Sequence, residues 1–347
     1  MTHPMPKLVL ALTLTTLSIG LAQETTPEML EAAQQEGTVV WYVAVDVEAA
    51  EAVAEAFEAE NPGIDVQVER SGSERVFQRV DQEYTANIHN VDVVNSSDAS
   101  HFVYWKEQGL LAEHVAPDVK QFADQYKDPD NLFATWRAHL SVIGYNTTLV
   151  PAEEAPTSFR DLLDPKWQSR LVKASPNYSG TIVTATKAIT DNEALGWEYL
   201  EEISQLDVMQ VQSSTAPPKS IANGERMAMI DGNEYNMFSE IENGSPVAIV
   251  YAEEGSPFID SPSAIMKDAP HPNAARVFTN YLFTAEAQQI LVDVGGVRSV
   301  HPDVVEPENR TPLSEIKLLS VDAVELESQV EEIKRRYTEI FGAAAQE

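Results

Sequence analysis

Cysteine is absent from all 347 residues. That excludes disulfides, thiolate metal ligands, a cysteine nucleophile and a lipid-modified cysteine anchor. Positive charge is scarce: 23 Lys and Arg stand against 55 Asp and Glu, a net charge of −32 at pH 7. Such a surface repels nucleic acid and anionic lipid, so neither is expected as a partner. Beyond the first residues nothing approaches the ~18 consecutive apolar residues that a membrane-spanning helix needs. Catalytic signatures are missing as well. There is no Gly-x-Ser-x-Gly elbow for a hydrolase nucleophile and no Gly-x-x-x-x-Gly-Lys-Ser to cradle a nucleotide phosphate. The 7 histidines include no His-x-His or His-x-x-x-His pair for zinc. The expectation is a binding protein rather than an enzyme, without a cofactor; whether a metal ion accompanies its ligand is left open.

What the N-terminus does contain is Lys7, the apolar run Leu8 to Leu14, and small residues reaching Gly20, Leu21 and Ala22. A short charged region, an apolar stretch of ~7 to 15 residues and a small-x-small end form a secretory signal peptide. The expectation is residues 1–22 as the signal, cleaved near Ala22, and a periplasmic mature protein. Losing Lys7 takes the charge from −32 to −33. The remaining chain, roughly 325 residues, exceeds the length at which one hydrophobic core stops growing, which predicts two lobes.

Periodicity then alternates. Thr26 to Gln35 reads as a polar helix closed by Gly37, and Thr38 to Val45 as a near-continuous apolar strand of the kind a buried parallel sheet requires. Val47 to Glu60 places Val47, Ala50, Val53, Ala54 and Phe57 at helical spacing until Asn61-Pro62-Gly63 stops it, and Ile64 to Glu69 resumes as a strand. Ser73 to Asn87 and Val91 to Val94 repeat the pattern. Alternation of this kind predicts an open α/β sheet, whose ligands sit at the carboxyl ends of its strands. Leu140 to Asn146 reads as a crossing into a second lobe and Pro257 to Met266 as the return. Thr157 to Leu163 reads as a helix, Leu171 to Ala174 as a strand, and Val321 to Phe341 as one charged amphipathic helix.

The order of these signals resembles the periplasmic solute-binding proteins of the ferric-binding type. Gly37 to Phe57, ending near Asn61-Pro62-Gly63, looks like the family's opening. Ala269-Pro270-His271-Pro272, Thr284-Ala285-Glu286-Ala287-Gln288 and the Gly296-Val297-Arg298 loop are similar to its second signature. The resemblance implies a type II periplasmic binding fold: two α/β lobes joined by hinge strands over an inter-lobe cleft. Lobe 1 is expected at 24–138 plus 259–309 and lobe 2 at 139–258 plus 310–343. It also implies capture of a small ligand, delivery to an ABC permease in the inner membrane, and a monomeric receptor.

Candidate ligand residues lie at strand ends and helix starts. Ser179-Gly180-Thr181, following Tyr178, offers hydroxyls and the unsatisfied N–H groups of a helix N-terminus to an anion, or serves as a plain N-cap. Ser213 and Ser214 do the same after another strand, and Asn95, Ser96 and Ser97 mirror them from the first lobe. Arg75 and Arg298 either grip a carboxylate or phosphate or form ordinary ion pairs. Glu234 and Tyr235 offer oxygens where ferric-binding relatives place two adjacent tyrosines, and Asp46 and Ser97 stand near where those relatives place a His and a Glu. None of the 11 tyrosines neighbours another, so a small organic anion or zwitterion is expected ahead of directly coordinated iron.

Overall fold

The computed structural model describes residues 24–342; the expected signal peptide and its cleavage point at Ala22 lie outside the described residues. Helix α1 (Pro27–Glu36) starts where the Thr26 hydroxyl accepts from the Met29 N–H at 3.2 Å and stops at Gly37, whose φ of 76° only glycine adopts cheaply. A cap such as Thr26 is worth about 1 kcal/mol. Strand β1 (Thr38–Val43), helix α2 (Val47–Glu60) and strand β2 (Asp65–Arg70) follow, with β1 and β2 parallel in register from Thr38–Asp65 to Val43–Arg70. Helix α3 (Ser73–Thr85), strand β3 (Val93–Asn95) and helix α4 (Ala99–Glu107) extend the same layer.

Strand β4 (Ala134–Leu140) is the last element of this first pass. Two residues later β5 (Ile143–Asn146) belongs to a different sheet, filled out by β6 (Leu171–Ala174), helices α5 (Gly180–Asp191) and α6 (Gly196–Ser204), β7 (Met209–Val211), α7 (Ala216–Ala222), β8 (Ala228–Met229), α8 (Glu234–Glu242) and β9 (Val247–Val250). The chain then returns through the long strand β10 (Ser256–Ile265) to helices α9 (Pro272–Leu282) and α10 (Ala285–Gly295), and ends with β11 (Leu318–Leu319), α11 (Ala323–Glu327) and α12 (Val330–Phe341).

The first sheet has the order β11-β10-β3-β1-β2, with β4 antiparallel to β10; the second has the order β7-β6-β8-β5-β9. Each lobe therefore owns a sheet and a core. In the first, Trp41 meets Trp136 and Phe278 edge-on, both at 5.2 Å between centroids. In the second, Phe159, Leu162, Trp167, Tyr199 and Ile203 are buried together. The expected two-lobe α/β architecture is what the chain adopts.

Two local expectations differ from the structure. Only Arg160–Leu163 of the stretch expected to be a helix from Thr157 turns, and as a 3-10 segment. There the Asp161 carboxylate accepts from the Thr157 and Ser158 N–H groups at 2.8 and 3.1 Å, a local bond set that competes with helix. The tail is two helices, because α11 packs on α4 of the first lobe whereas α12 packs on α5 and α6 of the second.

Candidate functional site

The carboxyl ends of the strands of both sheets face each other. Ala44, Arg70, Gly72, Ser73 and Ser97 from the first lobe, and Tyr178, Ser179, Thr181, Ser213, Ser214, Thr215 and Tyr235 from the second, line one cavity of about 30 Å³. That is room for about one water molecule, so this is a conformation with the lobes shut. Bonds cross the cleft on every side. The Gly180 N–H donates to the Ser73 hydroxyl at 2.9 Å, Asn236 Nδ2 donates to Asp46 Oδ2 at 3.1 Å, and Lys334 Nζ meets Glu74 Oε2 at 2.7 Å.

The second-lobe wall is built from helix starts. Ser179 precedes α5 in an extended conformation, φ −140° and ψ 115°, and its hydroxyl makes no capping bond to the helix. The positive end of α5 and that hydroxyl thus face the cleft together. Ser213 instead serves the turn before α7, its Oγ 2.9 Å from Thr215 Oγ1 and accepting from the Thr215 N–H at 3.2 Å. Tyr235 stands in the first turn of α8; burial raises its phenol above the ordinary range, so it is a neutral hydroxyl, and it accepts from Asn233 Nδ2 at 2.8 Å.

Behind this wall lies a buried cation that the sequence reading did not single out. Arg137 on β4 is wholly buried, and among the described residues no carboxylate pairs with it. Its Nη1 donates to His139 Nδ1 at 3.2 Å, its Nη2 to the Ala44 carbonyl at 3.4 Å, and its Nε has no partner among the described residues. Burial lowers its affinity for a proton without discharging it, a guanidinium being too basic. Burial and then the Arg137 charge push His139 well below its ordinary value, so the imidazole is neutral. With Nδ1 accepting from Arg137, Nε2 carries the hydrogen and donates to Thr181 Oγ1 at 3.1 Å. The Thr181 hydroxyl, on the cavity wall, is left with its own proton to give. Arg70 adds a second guanidinium, held by the Val45 carbonyl at 3.1 Å and only loosely by Asp46 at 3.8 Å.

Among the expected site residues, Ser97, Tyr178, Ser179, Thr181, Ser213, Ser214 and Tyr235 come together on this cavity. Gly180 lies at the lobe contact itself, its N–H already used by Ser73; a Cβ there would stand 2.5 Å from Asp98 Cβ. Asp46 sits one step outside, between Arg70 and Asn236. The structure does not bring the others to the cavity. Arg75 lies on the exposed face of α3, because the helix turns it away from the strand ends, and Arg70 takes the rim position. Glu234 and Arg298 satisfy each other instead of a ligand: Nη2–Oε1 is 2.7 Å and Nε–Oε2 2.8 Å, with Tyr251 and Glu306 completing the network. Asn95 donates to the Pro262 carbonyl at 2.7 Å, and Ser96 bonds His101 Nδ1 at 2.8 Å, both inside the first lobe. The missed groups carried one signal: Arg137 and His139 put two ionisable side chains into a strand that is otherwise uncharged and is buried throughout.

Comparison with known proteins places this geometry. The profile of the bacterial extracellular solute-binding proteins matches residues 89–317. An uncharacterized protein of Haemophilus influenzae is 21% identical over 327 residues, 91% of this chain and 92% of its own length. The major ferric iron-binding protein of Neisseria meningitidis serogroup A is 23% identical over 190 residues, covering 52% of this chain and 56% of its own. Among solved structures, the periplasmic binding protein AfuA of Actinobacillus pleuropneumoniae, with fructose-6-phosphate bound, superposes with a TM-score of 0.81 at 21% identity, covering 89% of this chain and 99% of that one. Iron-bound HitA of Pseudomonas aeruginosa gives 0.75 at 19% identity, covering 86% and 99%.

Proposed function

Since the chain belongs to the bacterial extracellular solute-binding protein family, whose members bind solutes for ABC importers, we propose that it captures a small organic anion, a phosphorylated or carboxylated metabolite, in the cleft between its lobes. The observation that carries this reading is Arg137. A buried charge without a counter-ion is costly unless something compensates it, and the relay through His139 to Thr181 aims its polarisation at the cavity. The α5 N-terminus, the Ser179 hydroxyl and Arg70 all favour negative charge at the same point. A phosphate or carboxylate arriving there supplies the missing counter-ion. The fructose-6-phosphate bound by AfuA has this chemistry. Ferric iron, bound by HitA, is less well supported here: Tyr178 and Tyr235 come from separate turns, and Tyr235 is held as a neutral, hydrogen-bonded phenol.

In this reading the receptor is a monomer of the periplasm that performs no chemistry, binds no nucleic acid and docks on a permease when closed. Lobe 1 comprises 24–138 plus 259–309 and lobe 2 comprises 139–258 plus 310–342, hinged where the chain crosses near Leu140 and Ser256, with β11 and α11 of the tail reaching back to β10 and α4 of the first lobe. The test is a thermal-shift panel of inorganic phosphate, sugar phosphates, carboxylates, amino acids and ferric citrate. A ligand present at 100 times its Kd stabilises by about 2.7 kcal/mol. An anion from the phosphate or carboxylate group is expected to raise Tm in the wild type and to lose that effect in Arg137→Met and Thr181→Val. A response confined to ferric citrate, or one that survives both substitutions, would overturn the reading.

A further inference from the structure

Glu74, Asp98 and His101 are buried side by side in the first lobe, and their inward donor atoms lie within 4.8 Å of one another. Each is tied outward by one atom and turns another inward. Glu74 Oε2 accepts from Lys334 Nζ at 2.7 Å. Asp98 Oδ1 accepts from the Ser100 N–H at 2.9 Å and its hydroxyl at 2.6 Å. His101 Nδ1 sits 2.8 Å from Ser96 Oγ. Inward, Glu74 Oε1 and Asp98 Oδ2 stand 3.4 and 3.6 Å from His101 Nε2, and neither oxygen has a hydrogen-bond partner among the described residues. Asp98 is wholly buried, so Oδ2 is an orphaned acceptor aimed at this point.

We propose that Glu74 Oε1, Asp98 Oδ2 and His101 Nε2 form a binding site for one divalent transition-metal ion of the zinc type. Bonds of about 2.1 Å in tetrahedral geometry put neighbouring donors about 3.4 Å apart, close to the 3.4 and 3.6 Å that separate the two carboxylate oxygens from His101 Nε2. A mixed imidazole and carboxylate set suits a borderline ion rather than calcium or magnesium, which take oxygen ligands. Donation from Nδ1–H to the Ser96 hydroxyl leaves the Nε2 lone pair for the metal, the outer bond that metal-ligating histidines keep. Two carboxylates balance the ion's charge. Without it, burial raises the Asp98 carboxyl, while at Glu74 burial is outweighed by His101 and Lys334, which hold that carboxyl at about 2.

The position gives the site a consequence for the cleft. Glu74 and Asp98 directly follow Ser73 and Ser97, two residues of the cavity wall, and Asp98 abuts Gly180 across the lobe contact. An ion here fixes that wall whatever ligand the cleft takes, so the inference stands apart from the anion reading. The test uses the tag-free mature chain, dialysed against a chelator and titrated with zinc chloride by calorimetry. One ion per chain is expected, with affinity reduced at least about 100-fold in His101→Ala and in the isosteric Asp98→Asn, and about 10-fold in Ser96→Ala. Should His101→Ala fail to fold, cobalt is substituted: a visible absorption band in the wild type that is lost in Asp98→Asn supports the site. No stoichiometric uptake by the wild type, or equal uptake by the folded variants, overturns it; a wild-type His101 ring that carries hydrogen on both nitrogens under saturating zinc does the same.

Discussion

At the scale of single residues, burial decides which charged groups act and how. Arg298 and Glu234 satisfy each other, a bidentate pair between the loop after α10 and the start of α8, and so serve as a strut between the lobes. Arg137 has no such partner and is therefore available to the cleft. Asp260 on β10 shows the same rule through pH. Burial raises its carboxyl to about 7 against the bonding of Thr135, and its Oδ1 has no partner among the described residues. The folded state thus holds this proton more tightly than the unfolded state. Its contribution to stability is fully present below the ordinary carboxylate value near 3.8 and is lost as pH rises through about 7. Asp260→Asn is expected to leave Tm close to wild type at pH 4 and to raise it at pH 8. Equal shifts at both pH values would rule this origin out. Hydroxyl-bearing turns and the tyrosine after β8 could be read from residue type and spacing. Which arginine faces the cleft could not, because the sequence does not say which way a helix turns Arg75 or what already neutralises Arg298.

Elements were more legible than their ends. The α2 and β6 boundaries follow directly from apolar spacing and from stops such as Asn61-Pro62-Gly63. Helix α5 starts at Gly180, directly after Ser179, and that boundary matters functionally: it puts the α5 N-terminus and the Ser179 hydroxyl on the cavity. Gly180 is required there for closeness rather than for backbone freedom, since a Cβ would lie 2.5 Å from Asp98 Cβ. Gly180→Ala is expected to keep the fold, because alanine favours helix, while weakening the cleft ligand at least about 10-fold by holding the lobes apart, the equivalent of ~1.4 kcal/mol. Calorimetric titration with the anion identified by thermal shift measures this; undiminished affinity would show that the lobes close without this contact.

Across the whole molecule, the two sheets are joined at the crossing strands, where Leu140 and Phe258 share an apolar cluster with Val172 and Met237, while polar bonds hold the cleft itself shut, so a small rotation about the hinge opens the cleft. Closure then rests on contacts such as Lys334–Glu74 and Asn236–Asp46. Small-angle X-ray scattering is expected to show a more compact particle with saturating ligand than without it. An identical profile in both states would sink closure as the mechanism. The sequence by itself determined the class of architecture, the two-lobe division and the supply of hydroxyls at strand ends, because periodicity, chain length and turn chemistry are local properties. Only the tertiary structure decided that Arg137 lies uncompensated beneath Thr181, that Glu234 and Arg298 cancel, and that Glu74, Asp98 and His101 converge. Each of these depends on which charges folding brings within a few ångströms of one another and removes from water, and no local pattern encodes that.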